Sequence, residues 1–149
     1  MAEKLTKSKE RVAKYGEVFT PQHIVKDMCD MLEKENPGAF DPERTFLEPS
    51  CGDGAFILEI LRRKFSSCKK RRDYTVALQS VYGFELLADN VAKTISNVVS
   101  LCNEFFKPNK AELEIINDHI IQCDSLKVLR FLEMYGHDTP HTINVITAH

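Results

Sequence analysis

The sequence predicts an α/β fold: a parallel sheet with right-handed crossovers and helices on both faces. Three observations predict it. Short apolar runs that suit buried strands alternate with longer segments of helical periodicity. The first such run passes directly into a small-residue turn, Pro49-Ser50-Cys51-Gly52-Asp53-Gly54. An acidic residue stands at the end of each of the first three strands: Glu48, Glu85 and Asp124.

The elements follow in order. Residues 1–15 carry Lys4, Lys7, Lys9, Arg11 and Lys14 against Glu3 and Glu10, and read as a basic arm, mobile or a solvated helix. Residues 16–149 read as one domain. Gly16-Glu17-Val18-Phe19 is extended. Thr20 then serves as N-cap and Pro21 as the first residue of a helix with Ile24, Val25, Met28, Met31 and Leu32 on one face. Asn36-Pro37-Gly38 ends it. Thr45-Phe46-Leu47-Glu48 is the first strand. After the turn, Ala55 to about Lys64 forms a helix with Phe56, Ile57, Ile60 and Leu61 inward. Lys69-Lys70-Arg71-Arg72 falls in a polar loop, and residues 80–85 form the second strand. Asp89 to Phe105 is a long helix with Val91, Ile95, Val98, Val99 and Cys102 inward, broken by Pro108-Asn109. His119 to Asp124 is the third strand and Leu126 to Tyr135 a helix. The polar stretch Gly136 to His141 leads to a fourth strand, Ile143-Asn144-Val145-Ile146.

Composition narrows the classes. The chain has 149 residues, 43% hydrophobic and 28% charged, which suits one globular domain and excludes disordered or collagen-like classes. Lys+Arg 20 against Asp+Glu 22 gives a net charge of -2, so any nucleic-acid contact must use local patches. The chain shows no apolar run of membrane-spanning length and a polar N-terminus, which points to a cytoplasmic protein. Cys29, Cys51, Cys68, Cys102 and Cys123 are scattered without a C-x-x-C pair, so reduced thiols are expected rather than a zinc site or disulfides.

In parallel sheets ligands bind beyond the carboxyl ends of the strands, where the three acids and the glycine turn stand. Gly52 and Gly54 let the backbone approach a ligand closely. A dinucleotide turn would carry a third glycine where Ile57 stands, and a pyrophosphate would meet Glu48 and Asp53. S-adenosylmethionine, with a sulfonium and an ammonium, would be attracted instead. Glu85 suits its ribose diol, Asp124 its adenine amino group, and Leu86 and Leu87 the base. Each residue also has a plainer reading. Glu48 and the Asp124-Ser125 pair read equally as helix caps, Glu85 as a loop acid, and the glycines as an ordinary turn. Three acids in order at successive strand ends favour the cofactor.

Four segments together resemble a known family. They are Gly16-Glu17-Val18-Phe19-Thr20-Pro21, Phe46-Leu47-Glu48-Pro49-Ser50-Cys51-Gly52-Asp53-Gly54-Ala55-Phe56, Gly83-Phe84-Glu85-Leu86-Leu87-Ala88-Asp89-Asn90 and Cys123-Asp124-Ser125-Leu126. In that order they resemble the DNA adenine-N6 methyltransferases of restriction–modification systems whose cofactor motifs come first. The resemblance implies a Rossmann-like class I methyltransferase fold, truncated here after about the fourth strand. It implies that Phe19 and Thr20 close over S-adenosylmethionine, that Glu48 takes the ammonium, and that the backbone from Pro49 through Ser50, Cys51, Gly52, Asp53 and Gly54 passes beneath the methionine. Glu85 would hold the ribose hydroxyls, Leu86 the adenine face, and Asp124 with Ser125 the adenine N6. The family's substrates are adenines flipped from duplex DNA.

The sequence departs from the family where chemistry is expected. The Asn/Asp-Pro-Pro-aromatic segment that orients the accepting amine does not follow Ile143-Asn144-Val145-Ile146; Thr147-Ala148-His149 does. The expectation is a cofactor-binding portion with no catalytic residue, inactive by itself; the alternative is a non-catalytic S-adenosylmethionine-binding regulator or a subunit completed by a partner chain. Duplex DNA is the partner of the complete enzyme, with weak or no binding by this chain alone. The exposed edge of strand four is a place for self-association or a partner subunit. Arg62, Arg63, Lys64 and Lys69 to Arg72 lie at the far end of the sheet and read as solvated surface, which leaves the N-terminal arm as the DNA-backbone candidate.

Overall fold

Among the described residues, four strands, all parallel, lie in the order β3-β2-β1-β4. They are β1 (Thr45–Glu48), β2 (Val81–Glu85), β3 (Ile120–Gln122) and β4 (Ile143–Val145). The computed structural model describes residues 2–135 and 143–145. The chain moves outward from β1 to β3 and then returns to the far side of β1, so the order reverses between β1 and β4. Parallel neighbours need long crossovers, and helices supply them. The helices are α1 (Lys9–Tyr15), α2 (Gln22–Glu35), α3 (Ala55–Ser67), α4 (Arg71–Gln79), α5 (Ala88–Phe105), α6 (Lys110–His119) and α7 (Ser125–Tyr135). The fold is thus the α/β sheet that the sequence predicts.

The core sits between one face of the sheet and the layer that α3 organises. Pairing places Phe46 beside Val81, and Glu48 beside Gly83, which in turn pairs with Ile120. Phe46, Val81 and Ile120 are buried with Ile57, Ile60, Leu61, Phe65, Val98 and Ile116. Gly83 lets α3 seat closely, since a Cβ there would stand 3.3 Å from both Ile57 and Cys51. α3 packs against α2, α4 and α5. Phe65 meets Tyr74, Phe105 and Phe106 at ring-centre distances of about 5.5 Å, which fixes the ends of α4 and α5 on α3.

Several local expectations are corrected. Thr20 does not cap the first long helix. α2 begins at Gln22, and the Glu3 carboxylate accepts from the Gln22 amide at 2.9 Å. An acid there complements the helix dipole as a threonine cap would. The buried face of α2 is Val25 and Cys29, with Met28 and Leu32 partly covered; Ile24 and Met31 are exposed. The loop expected at 69–72 becomes α4 from Arg71, its first turn held by Asp73, which accepts from the Lys69 and Lys70 amides. The segment after Pro108 forms α6 through a reciprocal cap. Asn109 accepts from the Glu112 amide at 2.9 Å, and Glu112 accepts from the Asn109 amide at 3.0 Å. α6 takes His119 from the third strand, which shortens to residues 120–122. The expected positions Ile146, Thr147, Ala148, His149 and the polar stretch 136–141 lie outside the described residues.

The basic run is not simply solvated surface. Lys64 is fully buried and its ammonium donates to the carbonyls of Asp41 at 2.8 Å, Pro42 at 3.2 Å and Arg44. Arg63 bridges Glu59 and Asp30, and Arg62 pairs with Glu104. Arg71 grips the buried Glu112 with two hydrogen bonds, at 2.7 and 2.9 Å, and holds that carboxyl down at about 2. Lys64 therefore pins the loop that delivers the chain into β1. Lys64→Met removes the donor that three carbonyls share. We expect a loss of at least about 2 kcal/mol in urea unfolding, the scale for buried acceptors left unpaired. An unchanged unfolding midpoint would mean that water replaces the ammonium there.

Candidate functional site

A cleft of about 360 Å³ opens at the carboxyl ends of β1, β2 and β3. That size falls within the range of small-molecule sites. Four stretches of chain line it: residues 15–20, the turn after β1, residues 85–87 after β2, and residues 124–126 after β3. Of the residues predicted from sequence, Phe19, Thr20, Pro49, Ser50, Cys51, Gly52, Asp53, Glu85, Leu86, Asp124 and Ser125 lie on its wall. Glu48 and Gly54 do not: Glu48 is buried at the end of β1, and Gly54 is the N-cap residue just before α3.

The turn is held from two sides. On the sheet side, the Cys51 amide donates to the Phe84 carbonyl at 2.9 Å. On the helix side, the Thr94 hydroxyl donates to the Gly52 carbonyl at 3.0 Å, and the Asn97 amide donates to the Asp53 carbonyl at 3.1 Å. Both glycines adopt positive φ, 56° at Gly52 and 95° at Gly54. A Cβ on Gly54 would stand 2.9 Å from Thr94, and one on Gly52 3.2 Å from the Phe19 ring. The second contact shows the N-terminal segment folding over the turn. Phe19 is fixed there by its amide, which donates to the Leu5 carbonyl at 2.7 Å.

The acids differ in how they are held. The Glu48 side chain accepts from the Ser50 amide at 2.9 Å through Oε1, while Oε2 is buried without a hydrogen-bond partner. Burial first, and then the charge of Glu85, push its carboxyl up to about 8; the Ser50 amide pulls the other way. Glu85 accepts from the Leu86 amide at 3.0 Å and from Asn90 at 3.2 Å, and burial raises its carboxyl too. Asp53 is raised by burial as well. Asp124 accepts from the Leu126 amide at 3.1 Å, so it caps α7 while also lining the cleft. The Cys51 thiol is pushed up to about 12 by burial and stays neutral, inert as a nucleophile.

The sequence reading missed Glu17, Asn90 and the role of the basic arm. Glu17 lines the cleft and pairs with Arg11 at 2.9 Å. Asn90 donates to Glu17 at 2.6 Å and accepts from Lys7. Lys7 and Arg11 both reach Asp89, at 2.8 and 2.6 Å. The arm is thus docked rather than mobile, as a helix without buried residues, and two of its five cations are spent on the body of the domain. One signal was available in the sequence. Asn90 and Thr94 share a helical stripe with the apolar Val98 and Leu101, and polar residues on a buried stripe mark structural or functional contacts.

Among the described residues, the wall of the cleft carries Glu17, Asp53, Glu85 and Asp124 and no Lys, Arg or His. Such a wall favours a cationic, hydroxyl-bearing ligand over a phosphate. The buried Glu48 gives a thermodynamic signature. Its carboxyl takes up a proton more readily folded than unfolded, so the free protein gains stability from it below about pH 4.5 and loses that gain as pH rises through about 8. Glu48→Gln should remove that slope. We expect the variant to be more stable than the parent at pH 8 and indistinguishable below pH 4.5 in denaturant titrations. Parallel curves at all pH values would place the Glu48 titration elsewhere.

Comparison with known proteins adds to the geometry. No solved structure matches the chain. The Type II methyltransferase M.VspI of Vibrio sp. (strain 343) is 34% identical over 83 residues, which is 56% of this chain and 16% of that protein. The aligned stretch is therefore a minor part of the relative's length. A family model described as N-6 DNA Methylase matches residues 3–99, from the basic arm through the glycine turn and β2 into α5. With roughly two-thirds of its length under that match, the chain belongs to the N-6 DNA methylase family.

Proposed function

We propose that this chain is the S-adenosylmethionine-binding portion of an adenine-specific (N6) DNA methyltransferase of a cytoplasmic restriction–modification system. The observation that carries the reading is the cleft's charge: four carboxylates on the wall, of which Glu17 is paired with Arg11, no Lys, Arg or His among the described residues that line it, and a buried Glu48 oxygen without a partner at the end of β1.

The residues present fit the cofactor. The orphaned Glu48 oxygen suits an ammonium, and a cation beside it would offset the burial that raises its pKa. Glu85, held at both oxygens, keeps lone pairs for two ribose hydroxyls. Asp124 is placed to accept from an adenine amino group, with Ser125 alongside, and the half-exposed Leu86 offers an apolar face to the base. Phe19 and Thr20 line the cleft, with the Phe19 ring over Gly52, and would cover a bound methionine moiety. The cradle over Gly52 suits close approach of a methionine moiety. Bound there, the sulfonium supplies an activated methyl group. A pyrophosphate would be repelled by the same wall, which disfavours a nicotinamide-binding reading.

Duplex DNA is the partner of the complete enzyme, with weak or no binding by this chain alone. The outer edge of β4, where the described sheet stops, suits pairing with a second copy or a partner chain. Calorimetry tests the cofactor. The chain should bind S-adenosylmethionine and not NAD, and Glu85→Ala should weaken binding by about 1–3 kcal/mol, as for a lost charged partner. Binding of NAD with no response to S-adenosylmethionine would overturn the assignment.

We expect the isolated chain to bind cofactor without transferring methyl groups. Labelled-methyl incorporation into duplex DNA that grows with time and with protein would show that catalytic groups are present after all.

A further inference from the structure

We infer that Asn90 is a positioning residue for ligand binding: oriented by Lys7, it fixes the Glu85 carboxylate in the plane from which Glu85 meets the ligand's vicinal hydroxyls. The inference deepens the proposed function and rests on it for the ligand's identity.

Asn90 lies in the first turn of α5 with no solvent exposure. An amide there must find partners for two donors and an acceptor. Its Nδ2 donates to Glu17 at 2.6 Å and to Glu85 at 3.2 Å, and its Oδ1 accepts from the Lys7 ammonium. Two acceptor-only carboxylates on one side and a donor-only ammonium on the other leave the amide a single orientation. No other side chain of this length satisfies all three. Asp would add a third carboxylate, and Ala would leave Lys7 and Glu85 each short of a partner.

The consequence falls on Glu85. Its Oε1 accepts from the Leu86 amide at 3.0 Å and its Oε2 from Asn90, so the carboxylate is pinned at both oxygens. Without Asn90 it is left to the backbone amides of Leu86 and Leu87, and no side chain fixes its plane. Lys7 comes from the N-terminal segment, 83 residues from Asn90, and also pairs with Asp89 at 2.8 Å. Arg11 closes the group by bridging Asp89 and Glu17. The charged groups facing Asn90 and Glu85 are thus Lys7, Arg11, Glu17 and Asp89, and the Glu85 charge in turn acts on Glu48 through the core. The N-terminal segment thereby orients a binding residue at the end of β2.

The test uses the full chain, with Asn90→Ala and Lys7→Met beside the parent. Calorimetry is run with S-adenosylhomocysteine and with its 2′-deoxy analogue. We expect the parent to prefer the ligand with the intact diol. Asn90→Ala should lose roughly tenfold in affinity for that ligand while its affinity for the deoxy analogue stays unchanged, the scale of one charge-assisted hydrogen bond. Lys7→Met, at a partly exposed position, should shift the preference the same way and carries the test if Asn90→Ala does not fold. Equal losses for both ligands would make Asn90 a structural residue only and overturn the inference. A carboxyl NMR titration of Glu85 in the ligand-free chain separates the two claims. Loss of the Asn90 donor should raise the Glu85 midpoint, and an unmoved midpoint overturns the inference. A parent that binds neither ligand, with the midpoint still shifted, would sink the cofactor reading and leave the Asn90–Glu85 coupling standing.

Discussion

The cleft depends on the polar stripe at the start of α5. Asn90 contacts the carboxylate that ends β2, Thr94 the carbonyl of Gly52, and Asn97 the carbonyl of Asp53. One rigid helix thus fixes the strand end and the glycine turn relative to each other. A turn with two left-handed glycines has little stiffness of its own, because glycine samples those conformations freely when unfolded. Side-chain hydrogen bonds from α5 supply the stiffness. They also dictate the glycine, since Thr94 sits where any Cβ on residue 54 would stand.

That arrangement gathers negative charge where burial makes it costly. Glu48, Asp53 and Glu85 are all raised by desolvation, and Glu48 is raised further by Glu85. The structure answers with backbone amides from Ser50 and Leu86, and with Asn90, rather than with cations at the cleft wall. An amide donor softens the cost without cancelling the field. A lysine in direct contact with Glu48 or Glu85 would cancel it and leave nothing to attract a cationic ligand. Lys7 stands one step back, on Asp89 and Asn90, and Arg11 pairs with Asp89 and the wall's Glu17 rather than with Glu48 or Glu85.

Much of this was legible in the sequence. The four strands, the crossover helices α3 and α5 and the Pro49 to Gly54 turn follow from apolar runs, helical periodicity and small residues. These signals are local. Long-range choices are what the sequence hides. Glu3 caps α2 from 19 residues away, in place of the adjacent Thr20. Lys64 reads as one cation in a basic run, yet three loop carbonyls draw it into the core. Arg71 finds Glu112 across 41 residues, and that pair ties α4 to α6, the two helices that local reading did not foresee. In each case a charged side chain is committed to a partner that periodicity cannot see.

The same distinction explains why the site was read more fully than its support. Residues that touch a ligand cluster at strand ends, and topology places every parallel strand end on one edge of the sheet. Glu85 and Asp124 could therefore be grouped from strand positions alone. Glu48 shows the limit of that logic. It occupies the equivalent position, yet the chain turns over it at Pro49 and Ser50, and it ends beneath the wall rather than on it. Its unpartnered oxygen is the consequence. Pro49 has no N–H to offer, so of the turn's first two residues only Ser50 can donate, and it serves one oxygen. Under the proposed function, a ligand ammonium is the partner that this local geometry omits.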